Sequence, residues 1–208
     1  MFSGAHGIQE WLTECARRIS KSLGPSDILD GKPKRAMPFL SPVMWTSPLG
    51  LPVCQPYRKP DCHSVHTVIS KITLTKPDVL GAVDGRKQAS AFPPNYIHSL
   101  DASHMLLSAI ACNRARLTFA SVHDSFWTHA CDVDTMNSVL REAFIRMHES
   151  DLIARLHEEF KKRYEGYYML QSHEDGDVKK GTKWVPLTFP PIPKKVTSSA
   201  FISFPECP

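Results

Sequence analysis

The sequence predicts an α+β fold in which helices pack on small antiparallel β-hairpins, and three observations predict it. Apolar residues recur at helical spacing over 8–19, 97–110 and 133–160. Two short runs rich in β-formers, 44–53 and 117–130, each turn back on themselves. Prolines, 17 of 208 residues, exceed the average of about 5% and gather in clusters between these elements.

The length allows one large domain or two small ones, and the 42% hydrophobic and 22% charged fractions are those of an ordinary globular chain. A net charge of +4 suits a polyanionic partner without demanding one. The cysteines at 15, 54, 62, 112, 131 and 207 form no CxxC pair and are expected to be reduced thiols, not a disulfide framework. No apolar run reaches the ~18 residues of a membrane span, and the N-terminus has no secretory pattern. Glu10 and Glu14 sit within a patterned helix, unlike an acid-poor transit peptide, so this segment is expected to be core.

In chain order, Ile8, Trp11, Leu12, Cys15, Ala16 and Ile19 define one apolar helical face. Arg17, Arg18 and Lys21 stand near its C-terminal end, where the helix dipole favours cations; contact with phosphate is the alternative. Residues 24–43 form a Pro-rich stretch with a basic Lys32-Pro33-Lys34-Arg35 cluster and are expected to be an irregular linker. Met44 to Val53 then reads as strand, Pro48-Leu49-Gly50 turn, strand, with a further β element over 64–74. Cys62, His63 and His66 lack a fourth partner at zinc spacing. Residues 76–90 are expected to be a polar loop, and Pro93-Pro94 to precede a helix starting at Asn95 and ending near Asn113.

On that helix His98, Asp101 and His104 follow at three-residue steps. They spread over roughly 120° of its surface, broad enough to line a cleft and poor for one tetrahedral metal. A long helix capped by Asp132 or Asp134 carries Val133, Met136, Val139, Leu140, Phe144 and Met147, continued by Ile153, Leu156 and Phe160. Residues 171–208 are expected to be a poorly ordered tail.

Between the last two helices, Leu117 to Val122 reads as a buried strand and Phe126 to Thr128 as its return, with His123-Asp124-Ser125 at the tip. Such a bend can hold one carboxylate rigidly toward a cleft, as a divalent cation bound to substrate phosphates requires. A plain surface turn is the other reading, since Asp and Ser are common turn residues.

Four blocks occur in a recognisable order over more than half of the chain's length: Met1 to Ser20; Trp45 to Val53 with Gln55-Pro56-Tyr57-Arg58; Phe92 to Asp101 with Ser103-His104-Met105; and Ser121 to Ala130. Together they resemble the C-terminal part of the single-subunit, bacteriophage-type DNA-directed RNA polymerases, and among these the vertebrate mitochondrial members most closely. The resemblance implies part of the palm of a right-hand polymerase. It places 1–23 near palm and fingers, 24–44 as an insertion, 45–170 as C-terminal palm, and 171–208 as a divergent tail.

It also implies a mitochondrial location, with DNA template, RNA transcript, NTPs and the parent polymerase's transcription factors as partners. By resemblance Asp124 is one of two aspartates binding a Mg²⁺ pair, and His123 helps orient the turn. His98 faces the minor-groove side of the growing pair, while Gln55, Tyr57 and Arg58 lie near the hybrid as backbone contacts. The family's first metal-binding aspartate, its triphosphate-binding lysine and its nucleotide-selecting tyrosine all precede the position matching Met1. The isolated chain is therefore expected to be inactive. It is also expected to leave apolar faces uncovered on the helices at 8–19 and 97–110.

Two other functions fit the same residues less closely. A metal-dependent phosphohydrolase would use His98 or His104, the His123-Asp124 pair, and Asp132 or Asp134; it would be favoured if 117–130 were helical. A non-catalytic nucleic-acid-binding remnant would show salt-dependent binding without turnover.

Overall fold

The computed structural model describes residues 3–29, 32–33, 40–67, 69–76, 81–173 and 181–193. Helix α1 (Ser3–Ile19) is followed by the short strands β1 (Ser22–Leu23), β2 (Ile28–Leu29) and β3 (Lys32–Pro33). The hairpins β4 (Met44–Thr46) with β5 (Pro52–Cys54), and β6 (Asp61–His66) with β7 (Lys71–Lys76), lead to the long helix α2 (Gly85–Arg114). Then come β8 (Ala120–Val122) and β9 (Ser125–Trp127), α3 (Val133–His148), α4 (Leu152–Arg163), and the pair β10 (Tyr168–His173) and β11 (Gly181–Pro186). Every strand pairing is antiparallel, and the largest sheet has the order β1-β10-β11. The α+β expectation holds at this level.

One core organises the helices. Trp11, Leu12, Cys15, Ala16 and Ile19 of α1 are buried, the face that the spacing predicts, and they share a cluster with Trp45, Phe92, Tyr96, Leu156 and Phe160. The Trp45 ring meets Phe92 edge-on at 5.2 Å, and Phe92 lies 5.8 Å from Phe160. The Trp45 indole N–H donates to Ser99 Oγ at 3.0 Å, satisfying its polar end inside α2. Tyr164 donates to the Pro42 carbonyl and accepts from the Met44 amide, each at 3.1 Å, and burial pushes its phenol well above the ordinary range. Phe160→Ala is expected to destabilise the fold by about 3–5 kcal/mol, the cost of emptying a fully buried aromatic site. Urea denaturation of the variant checks it; a loss under ~1 kcal/mol, the scale of a volume-conserving swap, would mean that the site collapses around the gap.

Four expectations need correction. First, α2 begins at Gly85, not Asn95, and takes in much of the expected loop. Asp84 caps it, its carboxylate accepting from the Arg86 and Lys87 amides at 3.1 and 3.2 Å. Pro93 and Pro94 lie inside the helix. Each lacks an N–H, so the carbonyls of Ala89 and Ser90 lose their helical donors. Burial of Gln88, Ala89 and Phe92 outweighs that loss.

Second, the β8–β9 hairpin is not a buried pair: each strand alternates exposed, half-buried, exposed, because only one side of the ribbon faces protein. Third, the long helix after it is two helices. Asp151 breaks it by accepting from the Ala154 amide at 3.1 Å as the cap of α4. The expected stripe shifts accordingly, with Ala143 buried and Phe144 51% exposed.

Fourth, residues 168–173 and 181–193 of the expected tail region are built into the fold. β10 and β11 pair, Trp11 Nε1 donates to the Pro190 carbonyl at 3.0 Å, and Phe189 stacks on Phe160 at 5.6 Å. The remainder of the expected tail, 174–180 and 194–208, lies outside the described residues, as do Lys34 and Arg35 of the basic cluster. The thiols at 15, 54, 62, 112 and 131 are free. No helix among the described residues is long and apolar enough to cross a membrane.

A cleft between the hairpin tip and helix α2

The two elements singled out in the sequence meet at one cleft. His98, Asp101, Ala102 and Met105 fall at i, i+3, i+4 and i+7, one stripe of α2. Opposite them stand His123 and Asp124, and the six residues line a cleft of about 550 Å³. The other side of α2, through Phe92, Tyr96, Leu100 and Ser103, faces the core. The helix thus anchors by one face and offers the other.

The hairpin register is Ala120↔Trp127, Ser121↔Phe126 and Val122↔Ser125, which leaves His123 and Asp124 as the two-residue turn. His123 has φ 54°, a left-handed backbone that a non-glycine residue rarely adopts. The hairpin is closed at its base by Thr128 Oγ1, which donates to the Thr118 carbonyl at 2.6 Å. Phe126 turns inward, 5.7 Å from Phe119 and edge-on to His104 at 6.1 Å. The His104 ring is pinned in turn against Phe144 at 5.4 Å, with Nε2 3.1 Å from the Leu140 carbonyl. Of the three residues spaced by three on α2, His98 and Asp101 therefore face the cleft, while His104 fastens the hairpin to α2 and α3.

Asp124, Asp101, His98 and His123 are all exposed, so the acidic and basic groups of the cleft remain open to a ligand. Among the described residues no three His, Cys, Asp or Glu side chains converge as a metal site. Mg²⁺ takes six oxygens, commonly one or two carboxylates with the rest from water and phosphates. A carboxylate held on a two-residue bend at the cleft wall can supply one oxygen of such a set. Cys62, His63 and His66 lie on the exposed β6–β7 hairpin and assemble no such group either.

The segment 55–58 runs beside the start of α2. Arg58 Nη1 donates to the Gly81 carbonyl at 2.8 Å, and Tyr57, half-buried, has the Lys87 ammonium 4.9 Å from its ring centre. Gln55 differs from the expected backbone contact. It is 2% exposed and both ends of its amide are bonded within the protein, to Gln88 and Asn95. Gln88 and Asn95 went unnoticed as functional positions. The signal for Gln88 was the Asp84-Gly85 start followed by Ala89 and Phe92 at helical spacing, masked by the Pro-Pro pair.

A family model described as DNA-dependent RNA polymerase matches residues 1–198. A mitochondrial DNA-directed RNA polymerase of Schizosaccharomyces pombe is 43% identical over 201 residues, covering 94% of this chain and 17% of that protein. The mitochondrial DNA-directed RNA polymerase of Neurospora crassa is 44% identical over 207 residues, covering 85% of this chain and 14% of its own length. DNA-directed RNA polymerase 1, mitochondrial, of Arabidopsis thaliana is 45% identical over 177 residues, covering 85% and 16%. The chain thus spans about a sixth of the length of these relatives.

Proposed function

The chain belongs to the DNA-dependent RNA polymerase family, and we propose that it is the C-terminal palm region of a mitochondrial, single-subunit member. Its part in templated transfer of nucleotides from NTPs to an RNA 3′ end is to wall the cleft where the chain grows. The observation that carries this reading is the single cleft shared by Asp124, at the tip of β8–β9, and His98 on α2.

Bound Mg²⁺ in such a site supplies charge neutralisation at the phosphates and a more acidic attacking hydroxyl. Asp124 would give one carboxylate to that cation, held at a fixed depth by the closed hairpin. His98, one wall away, would meet the growing base pair from its minor-groove side. Acceptors there are nearly alike for every pair, so a ring N–H can test pair shape without reading sequence. Tyr57 and Arg58 would approach the template–transcript backbone from the end of the cleft nearest the start of α2. DNA template, RNA transcript, NTPs and the transcription factors of the whole enzyme are the partners this implies. The hairpin is a poor frame for a His-Asp phosphohydrolase, whose ligands normally project from helices.

The test is cleavage mapping in the complete polymerase on a primed template, with Fe²⁺ replacing Mg²⁺ to generate local radicals. Backbone scission is expected around 123–125 and 98–101, and Asp124→Asn should abolish it. Scission confined to other parts of the enzyme would separate this cleft from the metals.

A further inference from the structure

We propose that Gln55 is a positioning residue that braces helix α2 across its proline pair and so sets where His98 stands in the cleft; the inference rests on the reading of His98 given above. The weak point of α2 is visible on its backbone. Pro93 and Pro94 withdraw two consecutive helical N–H donors, which leaves the ten residues from Gln88 to Ile97 with a gap in the hydrogen-bond ladder just before His98.

Gln55 spans that gap from outside the helix. Before the prolines, its Nε2 donates to the Gln88 carbonyl at 3.0 Å and to Gln88 Oε1 at 2.6 Å. After them, its Oε1 accepts from Asn95 Nδ2 at 3.0 Å. One side-chain amide thus grips both halves of the joint. The grip is itself held from behind. Gln88 Nε2 donates to the carbonyls of Gln55 at 3.0 Å and Tyr57 at 3.3 Å, and Gln88 Oε1 also accepts from the Val43 amide at 3.3 Å. Asn95 Nδ2 additionally reaches the Tyr57 hydroxyl at 3.2 Å.

Gln55 and Gln88 are 2% and 0% exposed, so the bonds between them form out of water, where a fully satisfied amide network is stiff and a broken one costly. Asn95 precedes His98 by three residues, one helical turn, so whatever fixes Asn95 fixes the direction in which His98 leaves the helix. The segment carrying Tyr57 and Arg58 is tied to the same network. A single buried amide therefore couples the cleft-facing stripe of α2 to a segment far from it in sequence.

The experiment is carried out in the complete polymerase, measuring single-turnover addition of matched and mismatched nucleotides to a primed template. Gln55→Ala is expected to lower matched kcat/KM by about tenfold, within the ~100-fold that an ångström of misplacement can cost. It should also narrow the matched-to-mismatched ratio in the same direction as His98→Ala. That ratio does not depend on the fraction of active enzyme, so general destabilisation would leave it unmoved.

Asn95→Ala, which removes only the far end of the brace from a half-buried site, should narrow it too and carries the test if Gln55→Ala does not fold. Pro94→Ala, at an exposed position, restores one helical donor and should partly rescue either variant. An unchanged ratio in both Gln55→Ala and Asn95→Ala, with His98→Ala narrowing it, would overturn the brace and leave the cleft reading intact. An unchanged ratio in His98→Ala itself would remove the reading of His98, and the brace with it.

Discussion

Asp124→Asn in the complete polymerase is expected to lower templated nucleotide addition by at least about a thousandfold, equivalent to about 4 kcal/mol of transition-state stabilisation. The substitution keeps the shape and the acceptor oxygen of the side chain and removes only the charge. Asp124 is exposed and makes no hydrogen bond among the described residues, so stability should hardly change. The loss should therefore fall on kcat at saturating NTP, with unfolding curves that overlay those of the parent. Asp101→Asn, one helix away on the same cleft, is the natural comparison, and a much smaller effect there would separate a metal-positioning charge from a general need for acidity. Extension at near the parental rate by Asp124→Asn would take that carboxylate out of the chemistry.

The second large effect is a complete loss. The 208-residue chain by itself is expected to extend no primer at any Mg²⁺ concentration. A single carboxylate at the hairpin tip leaves most of the coordination shell of two cations to water and phosphate, and none of the described side chains gathers into a three-ligand group. The matched relatives are about six times longer than the stretch they share with this chain, which is room for the missing ligands and for the groups that hold the triphosphate. A gel assay on a short template–primer hybrid reads the outcome. Robust Mg²⁺-dependent extension by this chain alone would mean that the ligand set is complete within it. Binding to hybrid that weakens steeply with salt, without turnover, is the expected residue of function.

Ile97, Leu106 and Ile110 on the outer side of α2 remain 49%, 38% and 47% exposed, as expected for a helix that meets further protein. The corresponding expectation for α1 was wrong. Its apolar face is covered within this chain by α2 and by the segment 187–193, which packs Phe189 against the core and brings the Pro190 carbonyl to Trp11. Nothing local in that proline-rich stretch announces a docking strap, because its hydrogen bonds to α1 are made with residues 179 and 170 positions earlier.

Local pattern was a good guide wherever one element satisfies itself. The apolar stripe of α1, the strand–turn–strand at 44–54 and the hairpin with His123-Asp124 at its tip were all legible, since spacing and turn chemistry act over a few residues. Pattern misled where burial overrules it. Pro93-Pro94 looks like a helix boundary, yet α2 runs through it because Gln88, Ala89 and Phe92 gain more from the core than two missing donors cost. The resemblance placed Gln55 near the hybrid as a backbone contact, and nothing in its neighbours reveals that Gln88 and Asn95 will surround it.

By itself, then, the order of residues determined the kinds of element, the acidic bend and, through its motif blocks, the family. Only the tertiary structure decided which histidine of α2 looks into the cleft and which one fastens the hairpin. It also decided that Gln55 spans a broken helix and is withheld from solvent. The reason is physical: periodicity tells which residues share a face of a helix, but what that face meets is chosen by segments distant in sequence, through burial and hydrogen bonds that no local spacing encodes.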